Sequence, residues 1–467
     1  MNPIFSLDFY KTGHQKQYPE GTEMVYSNLT PRSEKWSNLP DDEYNDNRVV
    51  LFGLRYFIQK VLVEDFEKEF FGQPKEKVIG EYKKLLDVAL NSDNDVSHIE
   101  ELHDLGYLPI EIRALEEGTA VPYGTPMLTI RNTLPKFYWL TNYLETILSA
   151  MIWKPCTSAT TARWYKNLLL SYAEKTGVDP EFVQWQGHDF SFRGMSGGED
   201  AALSGAAHLQ YFFGTDTIPA IKLLQDYYGA GDFVGGSVPA TEHSVMCLGG
   251  KDTEIDTFKR LINEVYPSGI VSIVSDTWDF WQVVTDYVAE LKEDIMNRDG
   301  KVVIRPDSGD PVKIICGDPE APAGSPENLG AVECLWNVFG GTETEKGFRV
   351  LDEHIGLIYG DSITPERAKA ILHGLALKGF ASSNIVFGIG SYTYQHVTRD
   401  THGFAVKATY GIVNGEPREI FKDPKTDSGT KKSARGLLRV NPDLTLTDQV
   451  SINEAFDNSM LKVVFEG

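Results

Sequence analysis

Cysteine is scarce in this chain of 467 residues: there are four, at Cys156, Cys247, Cys316 and Cys334. They lie far apart, and none forms a CxxC pair or a Cys/His cluster with zinc spacing. A disulfide scaffold and a structural zinc site are therefore excluded as organising elements, and a reduced, intracellular protein is the simplest reading. Long apolar runs are missing as well. No uninterrupted stretch approaches the ~20 residues of a membrane helix. The opening MNPIFSLDFYKTGH has no basic segment ahead of an apolar core, so no signal peptide is expected. Positive charge is in deficit: 44 Lys and Arg against 67 Asp and Glu leave a net −23. That balance excludes nucleic acid or an anionic membrane as the main partner. It leaves room for an anionic small molecule, because a few local Arg and Lys suffice to make one basic pocket.

What is present is ordinary globular usage, 41% hydrophobic and 24% charged, enough for a large core. The length suggests two or three domains. The middle of the chain repeats one grammar. GIVSIVSD (269–276), KVVIRPDSGD (301–310), HIGLIYGD (354–361) and NIVFGIGS (384–391) are apolar, strand-length runs that each end in Gly, Ser, Asp or Arg-Pro-Asp. They read as buried strands. Helical patterns separate them, at 277–298, at 325–341, and at 364–379, where Thr364-Pro365 opens and Gly379 closes the segment. FVQWQGHDF (182–190), LQYFFGTD (209–216) and VGGSVPATE (234–242) supply earlier candidate strands. The result is about seven strands alternating with helices, which predicts a parallel α/β fold: an α/β barrel, with a doubly wound sheet as the alternative. In either fold the carboxyl ends of the strands surround the active site. His188, Asp216, His243, Asp276, Arg305, Asp307 and Asp361 would fall there.

The flanks differ. Residues 109–131 alternate and carry turn signals, 136–153 reads as a helix, and 403–423 contains the Asn-Gly of a tight hairpin. A second, β-rich α+β domain is expected from residues 1–150 together with about 400–467, leaving 151–399 as the α/β-barrel domain. The stretch 38–48, NLPDDEYNDNR, is expected to be an exposed loop.

Several short stretches could carry chemistry, each with a bland alternative. In SVPATEHSVMCLGGKD (237–252), Glu242, His243 and Ser244 are either a catalytic histidine on a strand-to-helix loop or a turn with one satisfied histidine. FGIGS (387–391) suits a phosphate, since glycines let backbone amides approach an anion; a tight turn explains it equally. Arg399 and Lys407 beyond it add positive charge or are solvated surface cations. In RPDSGDP (305–311), Arg305 could fork onto a phosphate and Asp307 accept from ribose hydroxyls; a surface Arg-Asp pair is the alternative. In GHDFSFRGMSGGEDAA (187–202), Phe190 could stack on a flat ring with Arg193 near for an anion, or be core. Asp216 in FGTDT could accept from a substrate amide, or cap a helix.

Taken together and in order, DFYKTGHQKQYP (8–19), HDFSFRG (188–194), GTDT (214–217), SVPATEHS (237–244), VSDTWD (274–279), IRPDSGDP (304–311), GDS (360–362), FGIGS (387–391) and TRD (398–400) resemble the nicotinamide phosphoribosyltransferase family over nearly the whole chain. The resemblance implies a type II phosphoribosyltransferase: an α/β barrel, a β-rich second domain, and a cytoplasmic homodimer with its sites at the subunit interface. The implied reaction joins nicotinamide to 5-phosphoribosyl pyrophosphate (PRPP), with Mg²⁺ assisting and ATP as a stimulating co-substrate, in NAD biosynthesis. The sister activity on nicotinate is the alternative.

By that resemblance, Phe190 and the other subunit's Tyr10 sandwich the pyridine ring and Asp216 accepts from the carboxamide. An Asp there fits an amide and repels a carboxylate. Arg193 and Arg305 bind the ring amide and phosphates, and Asp307 the ribose. Asp361, Gly390 and Arg399 surround the 5′-phosphate, with Lys407 and Lys431 nearby. Ser237, Ser272 and Ser391 complete the substrate set, Ser391 standing where the family's phosphate loop has a glycine. His243 is the histidine phosphorylated by ATP, oriented by Glu242 or Asp276. No residue is expected to form a dedicated metal site.

Overall fold

The structure, a computed structural model, describes residues 1–360, 362–421 and 434–467. It divides into two compact units. Met1–Asn38, Asn47–Thr160 and Val397–Gly467 make one; Leu39–Asp46 and Thr161–His396 make the other. Each has its own apolar core.

The second unit holds a six-stranded parallel sheet, in spatial order Gly214–Thr215, Gly187–Asp189, Val386–Ile389, Ile355–Tyr359, Val302–Arg305 and Val271–Val274. The two edges do not stay open. Gly236 bridges in parallel to Gly214, and Ala240 bridges in parallel to Ser272. Backbone bonds seal both seams: Thr215 N–H to Gly236 O at 3.0 Å, and Thr241 N–H to Ser272 O at 3.0 Å. The segment 236–241 thus joins the first edge to the last, and six strands plus this one close a ring whose order around the barrel is the order along the chain. Closure removes the sheet edges. The strands are apolar and short, with all four residues of Val271–Val274 buried. Pro239 lacks the N–H for a ladder bond, which explains why the joining segment makes isolated bridges.

Helices separate the strands. Pro365–Leu377 begins with the Thr364 hydroxyl accepting from Arg367 N–H at 3.3 Å, and Gly379 follows at φ +74°, the expected helix stop. The 325–341 segment is two helices, Pro326–Leu329 and Ala331–Phe339. Gly330 between them has φ +81°, and a Cβ there would stand 2.3 Å from Gly317 N. The 277–298 segment starts later than its apolar pattern, at Phe280, because the Asp279 carboxylate accepts from the N–H groups of Trp281 and Gln282. It passes through a π-helical turn, Val283–Tyr287, and breaks at Leu291.

The first unit carries a six-stranded antiparallel sheet: Glu416–Glu419, Phe404–Val413, Thr22–Pro31, Leu128–Asn132, Ile110–Ala114 and Lys462–Glu466. Asn414 and Gly415 both have positive φ, the signature of the hairpin turn that Asn-Gly favours. Glu111 is buried mid-sheet and takes Arg113 Nε and Arg131 Nε, each at 2.9 Å. Burial alone would push its carboxyl up, but the two guanidinium groups outweigh it and hold the group below the usual glutamate range.

Two expectations are corrected. The helix foreseen over 136–153 is a short turn, Pro135–Phe137, then Leu140–Tyr143, then a helix Glu145–Thr176 running straight through Pro155. The stretch 38–48 is not merely an exposed loop. Tyr44 is buried edge-on against Trp164, and Asp42 accepts from Trp164 Nε1 at 3.2 Å and pairs with Lys369 at 3.0 Å. One aromatic and one carboxylate anchor an otherwise polar run. All four cysteines are free thiols. No helix among the described residues is long and apolar enough to cross a membrane.

Candidate active site

Parallel strands deliver their last residues to one end of the barrel, and two polar clusters form there. The first is built on Gly187–Asp189, Gly214–Thr215 and the 236–241 segment. His188 Nε2 lies 2.9 Å from Asp216 Oδ1, and the Ser237 hydroxyl donates to the same oxygen at 2.5 Å. Burial pushes the Asp216 carboxyl up; the His188 bond and charge, the Ser237 bond and the charge of Arg305 more than offset this and hold it below the ordinary aspartate value. Beside it the rings of Phe190 and His188 are 4.7 Å apart. Phe190 N–H donates to Ile389 O at 3.0 Å, so its backbone extends the strand pairing.

The second cluster sits on Val271–Val274, Val302–Arg305 and the start of helix His243–Gly249. Asp276 is the centre. Its Oδ2 accepts from Asp307 N–H at 2.9 Å and from the Ser308 hydroxyl at 2.5 Å. Its Oδ1 is buried, receives no hydrogen bond from any described residue, and lies 3.6 Å from His243 Nε2. Asp307 Oδ2 is 4.0 Å from the same nitrogen, and Asp307 Oδ1 is 3.6 Å from Arg305 Nε. The other imidazole nitrogen, Nδ1, is 3.1 Å from the Thr277 hydroxyl. Arg305 donates to Thr241 O, which aims the guanidinium across the barrel mouth.

Glycines join the clusters. A Cβ on Gly388 would stand 2.4 Å from Phe190 Cδ2 and 2.9 Å from Gly360 Cα; one on Gly360 would stand 2.4 Å from Asp307 Oδ1. Phe190, Gly388, Gly360 and Asp307 are therefore in a continuous run of contact. Gly194 packs on Ser391 in the same way, since its Cβ would meet Ser391 Oγ. That brings the turn bearing the exposed Arg193 to the phosphate-loop candidate. Gly390 needs no close approach: a Cβ there would meet open space.

The structure thus brings together Phe190, Asp216, Ser237, His243, Asp276, Arg305 and Asp307, and sets Arg193 beside Ser391. Glu242 departs from expectation. Its carboxylate takes the Ser244 hydroxyl, while Asp276, Asp307 and Thr277 are the groups that face His243. His243 is 48% exposed and Leu248 91%, because the seven-residue helix His243–Gly249 buries only Met246. Ser272 is buried inside its strand rather than at its end, and its hydroxyl has no hydrogen-bond partner among the described residues. Tyr10, Arg399 and Lys407 belong to the other unit; Tyr10 is 64% exposed, Arg399 pairs with Asp400 at 3.2 Å, and Lys407 lies opposite Asn28 in its sheet. Asp361 and Lys431 lie outside the described residues.

Sequence reasoning placed His188 at a strand end around the active site without giving it a role, and did not select Thr277 or Gly388. His188 and Thr277 stand inside quoted motifs, HDFSFRG and VSDTWD. Gly388 is a strand glycine, itself a sign of close approach. Among the described residues no group of three or more His, Cys, Asp or Glu could hold a metal ion unaided. The unpartnered Asp276 Oδ1 with Asp307 alongside does fit a Mg²⁺ that takes its other ligands from phosphate oxygens and water.

Residues 185–466 match the sequence profile of the nicotinate phosphoribosyltransferase (NAPRTase) family, and residues 2–112 match the nicotinamide phosphoribosyltransferase N-terminal domain. The chain belongs to this phosphoribosyltransferase family. Among relatives, it is 57% identical to a nicotinamide phosphoribosyltransferase of Acinetobacter baylyi, covering 100% of this chain and 94% of that protein. It is 35% identical to one of Mycoplasma pneumoniae, covering 94% and 96%. Two solved structures share the fold: human nicotinic acid phosphoribosyltransferase, TM-score 0.53 at 15% identity over 98% of this chain and 89% of that one, and nicotinate-nucleotide pyrophosphorylase from Pyrococcus furiosus, TM-score 0.52 at 16% identity over 100% and 90%. The barrel is that of a type II phosphoribosyltransferase, which settles the choice against a doubly wound sheet.

Proposed function

We propose that this phosphoribosyltransferase moves the 5-phosphoribosyl group of PRPP onto the ring nitrogen of nicotinamide, releasing nicotinamide mononucleotide and pyrophosphate in NAD biosynthesis. The observation that carries the reading is the contact run from Asp216 and His188, through Phe190, Gly388 and Gly360, to Asp307 and Arg305. An acceptor suited to an amide and a flat ring at one end of that run, and groups suited to ribose and phosphate at the other, support the reading.

The chemistry follows from those positions. The ring nitrogen attacks the anomeric carbon while the bond to the pyrophosphate oxygen breaks. Positive charge grows on the ribose, and the side chains of Asp276 and Asp307 stabilise it in a site partly shielded from water. Arg305 opposes the charge of the departing pyrophosphate. Asp276 and Asp307 are the residues that would hold a Mg²⁺, which would supply charge neutralisation to the pyrophosphate leaving group. Phe190 offers its face to the base, and Tyr10 from a second copy of the chain closes the other side, with Arg399 of that copy reaching the 5′-phosphate; the exposure of Tyr10 suits such a role.

His243 accepts a phosphoryl group from ATP. Its imidazole is reachable from solvent, is pinned at Nδ1 by Thr277, and faces Asp276 and Asp307 with Nε2. A nitrogen bonds the γ-phosphorus, ADP leaves, and the ring proton passes to the neighbouring carboxylates. Nicotinate is disfavoured because its carboxylate would oppose Asp216 across a short distance. The test is direct. Purified enzyme is given nicotinamide or nicotinate with PRPP, Mg²⁺, and ATP or none. Nicotinamide mononucleotide is expected in excess, faster with ATP. Formation of nicotinate mononucleotide instead would reverse the assignment.

A further inference from the structure

Asp216 offers two carboxylate oxygens, and both of its side-chain hydrogen bonds end on one of them. His188 Nε2 and the Ser237 hydroxyl converge on Oδ1, whereas Oδ2 receives no hydrogen bond from any described residue and the side chain is 47% exposed. A carboxylate accepts only, so Nε2 of His188 carries the proton. We propose that His188 is the positioning residue for base selection: with Ser237 it locks Oδ1 of Asp216, so that Oδ2 alone is presented to the N–H of the base's amide. The inference rests on the nicotinamide reading above and deepens it.

The strand geometry makes the lock rigid. His188 is buried and pairs in register with Gly388 on one side and Gly214 on the other. A Cβ at Gly214 would stand 2.6 Å from His188 Nδ1, so only glycine there lets the imidazole lie flat along the sheet. Gly214 is held in turn by His208 Nε2, 3.0 Å from its carbonyl, while His208 Nδ1 accepts from the Tyr394 hydroxyl at 2.7 Å. Burial drives the His208 pKa down, and this neutral ring buttresses the strand. The other charged groups around the pair are Arg305, which acts on Asp216, and Asp189, whose buried carboxylate is taken by Ser191 N–H and the Thr217 hydroxyl.

Loss of the imidazole has two separable effects. Asp216 becomes free to rotate, which weakens amide recognition. Burial, the largest influence on its carboxyl, is also opposed by less, so the carboxyl holds its proton to higher pH. A protonated Asp216 no longer repels a carboxylate and can donate to it.

The experiment measures the ratio of kcat/KM for nicotinamide to that for nicotinate from pH 5 to 8 in the full-length enzyme, for the parent, His188→Leu, His188→Gln and Ser237→Ala. In His188→Leu the ratio is expected to fall at least tenfold, through KM for nicotinamide, and the acid limb of its pH profile to move upward. His188→Gln, whose amide can reach the same oxygen, is expected to recover part of both. If His188→Leu does not fold, Ser237→Ala at an exposed site removes the other donor to Oδ1 and is expected to lower the ratio several-fold. A parent that prefers nicotinamide, with no fall in ratio in the folded variants, overturns the inference alone. A parent that does not prefer nicotinamide overturns the base assignment and the inference with it.

Discussion

Gly388→Ala is the substitution whose outcome the structure constrains most tightly. A Cβ at this position would lie 2.4 Å from Phe190 Cδ2 and 2.7 Å from Cε2, where ordinary contact begins at 3.4 Å, so the ring must retreat by 3.4 − 2.4, about 1 Å. The glycine's own strand cannot yield, because its neighbour Ile389 O accepts the Phe190 N–H at 3.0 Å, and the same Cβ would also stand 2.9 Å from Gly360 Cα. The ring is left to turn toward His188, 4.7 Å distant. Crowding of this kind costs about 1–3 kcal/mol of stability, and an ~1 Å displacement of a substrate-positioning group lowers catalysis by up to ~10²-fold.

We expect kcat/KM for nicotinamide to fall by roughly ten- to a hundredfold, mainly through KM, with KM for PRPP little changed. Urea unfolding followed by circular dichroism reports the stability loss. The double variant Phe190→Leu/Gly388→Ala separates the two effects: it relieves the crowding and regains most of the stability, but stays weak for nicotinamide because the aromatic face is gone. A Gly388→Ala enzyme within twofold of the parent in kcat/KM would refute the placement of Phe190 against the base.

Three further outcomes follow from other parts of the molecule. His243→Ala is expected to abolish stimulation by ATP and ³²P labelling from [γ-³²P]ATP, while reaction without ATP persists; labelling that survives in this variant removes the phosphohistidine role. Tyr10→Ala and Asp307→Ala, each nearly inactive alone, are expected to regain activity after unfolding and refolding as a mixture, since a mixed dimer restores one intact site; no recovery, with a dimer shown by sedimentation, places Tyr10 outside the shared site.

Glu254 is a buried carboxyl that burial, reinforced by Asp279, raises from 4.5 to about 7. The folded protein keeps a proton that the unfolded chain releases, so stability falls as pH rises from about 5 to 7, by up to about 3 kcal/mol. Glu254→Gln should flatten that fall, read as urea midpoints at pH 5 and pH 8, and an unchanged slope would contradict it.

The fold was readable from the sequence wherever one rule of local chemistry dominated. β-branched runs with polar ends located the strands at 271–274, 302–305, 355–359 and 386–389, because such runs are stable only when both faces are buried. Thr364-Pro365 and Asn414-Gly415 placed a helix start and a hairpin, since the first supplies a cap and a preset φ and the second tolerates positive φ at both residues. Where two local preferences competed, the reading slipped. Asp279 captured the N–H groups that the apolar pattern assigned to an earlier turn, and Glu145–Thr176 ran on through Pro155 despite its missing donor. The polarity of 38–48 hid Tyr44 and Asp42, whose partners Trp164 and Lys369 are more than a hundred residues away in sequence.

For the site, the motifs alone named most of the residues that line the barrel mouth, since the carboxyl end of a parallel strand is where a polar residue escapes burial. Their pairing was decided only in three dimensions. Nothing local to Asp276 says that its Oδ2 holds the Asp307 backbone while its Oδ1 faces His243, or that Glu242, next to His243 in the chain, turns instead to Ser244. Nor does the chain around Gly388 announce Phe190. Such contacts depend on the register between neighbouring strands and on the closing of the ring by 236–241, and register is set by the whole barrel's packing rather than by any one strand.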